Sequence, residues 1–329
     1  MSSSHIMIHS VTRLLFIVVA VVVPSVYAHI AFWHPSMWGF NVTDKDPAYS
    51  YDNRPVVPLA RMTFNEWWFH NHLRYPPHPN DVFELPAGKP AIAELGCNKG
   101  ATTWYNSSEG GDVRQGDWPC PRSPSVQFHT KGIEDVKGCA LAIVHESDVS
   151  KIKPEDFVVF SVNQTCVWHR FTAFQVPADM PACPGGKCTC AWFWIHSPDS
   201  GSEQMYMNAF QCTVTGSKHD APALMKPQVA RRCGADPEHG ITHTTPSNCT
   251  HGAKQPLYWL QDEGNNMFED YMGPPLYNDL YDFKDGAQND IFVTSMKNAQ
   301  KRDAYQPSRS SRFWGNELHA SREAMVKDI

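Results

Sequence analysis

Two stretches, Cys190-Ala-Trp-Phe-Trp-Ile-His196 and Gln204-Met-Tyr-Met-Asn-Ala-Phe-Gln-Cys212, decide how this chain is read. Successive side chains of a strand point to opposite faces, so Cys190, Trp192, Trp194 and His196 share one face, as do Gln204, Tyr206, Asn208, Phe210 and Cys212. If Cys190 bonds Cys212 across an antiparallel pair, His196 stands opposite Tyr206, and Gln204 joins them at one end of the sheet. On these residues alone, an aromatic core with satisfied polar edges accounts for the same pattern.

Further strand-like stretches, β-branched or aromatic and bounded by Pro, Gly or Asn, run over Pro90 to Cys97, Cys139 to Val144, Phe157 to Val162 and Thr165 to Val176. No alternation of strands with long helical patterns appears, which favours an antiparallel β-sandwich over a wound α/β sheet. Long aromatic loops interrupt it, chiefly Phe64 to His72 and Tyr258 to Phe283. The 329 residues fit one large domain or two modest ones. With 42% hydrophobic and 19% charged residues, 26 Pro and 20 Gly, the chain is neither a coiled coil nor wholly disordered. A net charge of −6 disfavours a general nucleic-acid binder, which needs clustered basic surface.

Arg13 precedes the apolar run Leu14 to Val23, and Val26 and Ala28 satisfy the small-residue rule of a cleavage site. The run is shorter than the roughly 20 residues that span a bilayer. Residues 1–28 are therefore read as a signal peptide, the protein as secreted and extracellular without a membrane anchor, and His29 as the first mature residue. All ten cysteines follow this cut, and an even number in an oxidising route predicts five disulfides in place of a zinc site. Sequons at Asn41, Asn106, Asn163 and Asn248 agree with that route. The domain is expected over 29–295, with 296–329 a mobile tail of few apolar residues.

Several chemistries find no local signal: there is no G-x-S-x-G elbow, no His-Glu-x-x-His and no Gly-rich phosphate loop, and no carboxylate pair stands out for glycoside hydrolysis. A terminal His29 is different. Its α-amine and ring Nδ1 close a chelate from one residue, and the amine, with an ordinary pKa of about 7.7–8.0, gives up its proton to a divalent metal near neutral pH. Nitrogen donors in a tetragonal set select Cu(II). One further imidazole would complete such a site. For His34, His70, His72 and His78, in aromatic loops, surface solvation or local hydrogen bonding is expected; Trp33, Trp38, Trp67 and Trp68 are expected to pack in the core, with stacking on sugar rings the alternative.

The start His29-Ile-Ala-Phe-Trp-His-Pro-Ser-Met-Trp-Gly-Phe-Asn-Val-Thr43, with Val136 to Ile143, Phe160 to Trp168, Cys188 to Gly201 and Asp285 to Val293, resembles fungal lytic polysaccharide monooxygenases of auxiliary activity family 14. The resemblance runs in order from His29 to about Val293. It implies an immunoglobulin-like β-sandwich, stapled by disulfides Cys97–Cys120, Cys139–Cys166, Cys183–Cys188, Cys190–Cys212 and Cys233–Cys249. It implies one copper ion per chain, held by the amine and ring of His29, the ring of His129 and, axially, Tyr206, with Gln204 hydrogen-bonding a reacting oxygen species. His196 behind this set is an extension of the register reading. The implied partners are a polysaccharide, in particular xylan lying on cellulose, an external electron donor, and dioxygen or hydrogen peroxide, acting on a monomer. A secreted copper-binding protein that handles metal without oxidising polysaccharide is the competing class. Gln204 and Tyr206 argue against it, since such proteins can carry a carboxylate near the metal.

Overall fold

In the computed structural model, residues 29–40, 54–198 and 203–295 are described. The expected signal peptide, the Asn41 sequon and the expected tail lie outside them. Among the described residues nine strands form two sheets: β1 (Ala31–Phe32), β2 (Phe83–Pro86), β3 (Pro90–Gly96), β4 (Cys139–Val144), β5 (Val158–Asn163), β6 (Phe171–Gln175), β7 (Cys188–Ile195), β8 (Met205–Thr215) and β9 (Gly286–Ala287). The smaller sheet has the order β1-β3-β6, the larger β2-β8-β7-β4-β5-β9. This is the disulfide-stapled all-β sandwich of the expectation, with one departure from an antiparallel rule: β2 pairs parallel to β8.

Alternation along β7 and β8 builds two cores. Trp192, Trp194, Tyr206 and Phe210 face the small sheet and pack with Phe32, Leu95 and Phe174. Ala191, Phe193, Met205 and Met207 face the other way, under Trp67, Trp68, Tyr258 and Trp259. The aromatic loops therefore act as a third layer, which is why β4 and β7 are buried along their whole length and read as apolar runs. That layer is pinned through polar tips, with the Trp67 indole donating to the Glu263 carbonyl and that of Trp259 to the Glu269 carbonyl. The four-residue helix α1 (Phe64–Trp67) starts where the Glu66 carboxylate accepts from the backbone and hydroxyl of Thr63.

Two sequence expectations need correction. Thr165 to Val176 is strand only from Phe171, because Cys166 is tied to Cys139 and the Asn163 carboxamide oxygen accepts from Thr165, turning the chain there. The register of β7 and β8 is also shifted. Cys190–Cys212 does form, but Cys190 stands opposite Phe210, Cys188 opposite Cys212, and Trp194, not His196, opposite Tyr206. A disulfide requires only Cα atoms within about 4.4–6.8 Å, and the 5.9 Å found here joins diagonal neighbours. The shift is by two residues, so every side chain keeps its face. The other disulfides are Cys97–Cys120, Cys139–Cys166, Cys183–Cys188 and Cys233–Cys249.

Candidate metal centre

His29 owes its position to the buried residues that follow it. Ile30, Ala31, Phe32 and Trp33 are fully enclosed; Ala31 pairs with Gly96, the Trp33 indole donates to the Gly96 carbonyl, and the Phe32 amide donates to Asn208 Oδ1 on β8. His129 arrives from the opposite side, ending the 3-10 turn Ser125–Phe128 in the left-handed region at φ 55°. That conformation is uncommon for a residue with a Cβ, and here it turns the ring toward His29. The Phe128 side chain beneath it is fully buried against Trp118 and Trp168.

Four side chains converge. His129 Nε2 and His29 Nδ1 are 3.4 Å apart; Tyr206 Oη is 2.9 Å from His29 Nδ1; Gln204 Nε2 is 2.8 Å from His129 Nε2 and 2.7 Å from Tyr206 Oη. One assignment of protons satisfies the network: the Gln204 amide donates to His129 Nε2 and to the tyrosine oxygen, and the tyrosine hydroxyl donates to His29 Nδ1. Burial pushes the Tyr206 phenol well above its ordinary pKa and keeps that proton in place. In that assignment both imidazole nitrogens are acceptors, 3.4 Å apart with no proton between them, so a cation placed there would take over from the Gln204 and Tyr206 donors and be shared by both rings.

His196 is brought to the same place by a contact the register reading missed. Its ring stacks on His129, centroids 4.1 Å apart and planes 10° apart, and its Nδ1 donates to the Ser197 carbonyl at 2.7 Å. Trp194 stacks on Tyr206 at 4.6 Å. Sequence reading placed Trp194 on this face without giving it a role; its alternation with His196 was the available signal.

The remaining candidates lie elsewhere. Trp33, Trp38, Trp67 and Trp68 are buried, which settles the stacking alternative in favour of packing. His34 Nδ1 meets the Ser36 hydroxyl at 2.7 Å, and burial lowers its pKa to about 4. His70 and His72 are not solvated, as sequence reading allowed, but buried and stacked on each other, because the outer aromatic layer closes over them. His78 is exposed. Among the sequons, Asn106 is exposed, whereas the amides of Asn163 and Asn248 donate to the carbonyls of Ala173 and Arg232. Among the described residues there is no cluster of three or more His, Cys, Asp or Glu suited to a metal, so this centre rests on two imidazoles and neutral donors.

A family profile described as lytic polysaccharide monooxygenase AA14 matches residues 11–320. A protein named AA14 family lytic polysaccharide monooxygenase B from Pycnoporus cinnabarinus is 70% identical over 277 residues, 84% of this chain and 73% of that protein. A protein of the same name from Trametes coccinea (strain BRFM310) is 70% identical over 277 residues, covering 84% of this chain and 66% of that one. The AA14 family lytic polysaccharide monooxygenase A of Trametes coccinea is 59% identical over 267 residues, 81% of this chain and 61% of its own length. The chain thus spans between about three fifths and three quarters of these relatives. Matched over nearly its whole length by the family profile, the chain belongs to the AA14 lytic polysaccharide monooxygenases, and so to the oxidoreductases.

Proposed function

We propose that the protein is a secreted copper-dependent enzyme that cleaves glycosidic bonds of plant cell-wall polysaccharide by oxidation, with xylan on cellulose as the substrate. The observation that carries this reading is the pair of imidazole nitrogens, His29 Nδ1 and His129 Nε2, opposed at 3.4 Å with the Tyr206 oxygen beside them. Nitrogen donors without a carboxylate suit Cu(II). His29 supplies a second nitrogen once the chain is cut after Ala28, so secretion, the mature domain 29–295 and the metal site form one hypothesis. Disulfides in every cysteine pair and family membership support the secreted reading.

When bound, copper supplies the one-electron chemistry with dioxygen or hydrogen peroxide, fed by an external electron donor. The chain's own residues do the rest. His129, fixed by its backbone turn and by the His196 face, presents Nε2 in the unprotonated tautomer. Tyr206, buried and protonated, fills the side toward the core and keeps water from it. Gln204, only 2.7 Å from that hydroxyl, holds an amide N–H at the centre that can turn from His129 Nε2 to a reacting oxygen. Such outer partners fix ligand orientation and donor strength. His29 and His129 themselves are only half-buried, which suits a site that meets a solid polymer as a monomer at its surface.

The test joins site and activity. Purified secreted protein should begin at His29 and bind one copper per chain, and His129→Ala should abolish stoichiometric binding. Retained copper at unchanged affinity in that variant rejects the assigned centre. Mass spectrometry of soluble products from xylan-coated cellulose with reductant should show oxidised oligosaccharides; none from several polymers, with copper bound, points to metal handling instead.

A further inference from the structure

A second polar site lies at the same end of the sandwich. Asp112, Val113, Arg114, Gly116, Arg122 and Arg170 line a cavity of about 380 Å³. Its position follows from topology. β1 runs antiparallel to β3 with Ala31 opposite Gly96, so stepping back from Ala31 to His29 follows β3 forward into the loops after Cys97. β6 is antiparallel to β3 with Glu94 opposite Phe171, so Arg170 lies in that same direction. The Cys97–Cys120 disulfide ties these loops together, and Trp118 packs on Phe128, the residue before His129, at 5.0 Å.

The lining holds three arginines and one carboxylate. Asp112 holds Arg114 through two bonds, 2.9 Å to Nε and 2.8 Å to Nη2. Arg170 is 93% enclosed: Nη1 donates to the Ala101 carbonyl, the guanidinium lies 4.4 Å from the Phe171 ring centroid, and Nε, paired in charge with Glu94, makes no hydrogen bond. The nearest carboxylate to it, Glu94, stands 3.5 Å off and is already engaged by the amide and hydroxyl of Thr103. Asp117 is turned to the Phe171 amide and His169. Arg122 is exposed and lines the cavity, its backbone N–H donating to Gln115 Oε1. A buried guanidinium with unused donors is costly unless an acceptor arrives. Its planar fork matches a carboxylate.

We propose that this arginine-lined cavity is a carboxylate subsite, which seats an acidic uronate side group of the polysaccharide whose backbone lies over the metal centre. The proposal rests on the function proposed above and specifies its substrate: decorated, anionic xylan in preference to a bare neutral chain. A free oxyanion such as phosphate offers the same chemistry from another source, and the experiment separates the two.

The full secreted protein, with and without copper and in the absence of reductant, is titrated calorimetrically with methyl glucuronoside, methyl xyloside and inorganic phosphate. Glucuronoside should bind and xyloside should not. Arg122→Gln, an exposed substitution checked for an unchanged Tm, should weaken glucuronoside binding about two- to fivefold, the upper scale of one exposed charge pair. Asp112→Asn, which frees Arg114 from its carboxylate, should strengthen it. Indistinguishable binding of glucuronoside and xyloside, or an Arg122→Gln protein that binds as the parent does, overturns the subsite; so does binding of phosphate without glucuronoside. With copper and reductant, Arg122→Gln should slow release of oxidised products from glucuronoxylan but not from the same xylan stripped of uronate. Absence of oxidised products from every polymer with the parent protein is failure of the enzymatic reading itself, and is distinguished by the titration, which needs no turnover.

Discussion

Replacing His196 with Ala removes a ring that touches the centre only through another ring. His129 stands at a left-handed backbone position, and its plane is set by the Gln204 amide at 2.8 Å on one edge and the His196 face at 4.1 Å. A stacked aromatic pair contributes about 0.5–1.5 kcal/mol beyond the area it buries. If that energy serves to hold the bound orientation of His129, losing it weakens copper binding roughly 2- to 13-fold. His196→Phe keeps a flat ring in the stack, while the Ser197 carbonyl loses its donor, so affinity should return to within about twofold of the parent as Tm stays lowered. The assay is competition for copper against a chelator of known affinity, run on parent, His196→Ala, His196→Phe and His129→Ala, with Tm recorded for each. Copper loss in His196→Ala as complete as in His129→Ala would make His196 a ligand and refute the orienting role. Unchanged affinity with a lowered Tm would reduce the ring to packing.

Two other outcomes are expected. His239 places Nδ1 2.9 Å from the Asp236 carboxylate and Nε2 3.1 Å from the Met272 carbonyl, and only the imidazolium can donate to both. The Asp236 hydrogen bond and charge raise its pKa, while Arg232, bonded to the same carboxylate, opposes, and Tyr281 and Glu269 stand beyond Arg232. Because the folded value is raised, this tie is fully present below about pH 6.5 and is lost as pH climbs through the folded value. Hydrogen exchange of 268–273, which exposes Phe268, Tyr271 and Met272, should therefore quicken from pH 6.5 to 8 in the parent beyond the intrinsic rate, and His239→Gln should remove that extra dependence. Gly138→Ala puts a Cβ at φ +83° and 2.4 Å from the Tyr277 carbonyl, with backbone at 3.3 Å behind it. The left-handed strain alone costs about 1–2 kcal/mol, and the clash adds to it, so Tm should fall by several degrees; an unchanged Tm contradicts the close approach.

What the sequence by itself determined is what period and composition encode locally. Alternation along Cys190 to His196 and Gln204 to Cys212 assigned each side chain its face, so Gln204, Tyr206 and His196 could be gathered at one end before any coordinates. The ten cysteines and a histidine behind a leader-like run pointed to an oxidised chain with a two-nitrogen terminus, and long matching blocks carried the family. Only the tertiary structure decided what depends on summed contacts between distant segments. The register of β7 against β8 answers to two cores at once, so a single disulfide misplaced it by two residues. His196 reached the centre through the face of His129, whose turn is 67 residues away in sequence. His70 and His72 were enclosed because a layer of loops closes over the outer face of the sheet, and Arg114, Arg122 and Arg170 came to line one cavity because the end of β3 lies beside the start of β6. Facing follows from the geometry of one strand; proximity requires the whole chain to have folded.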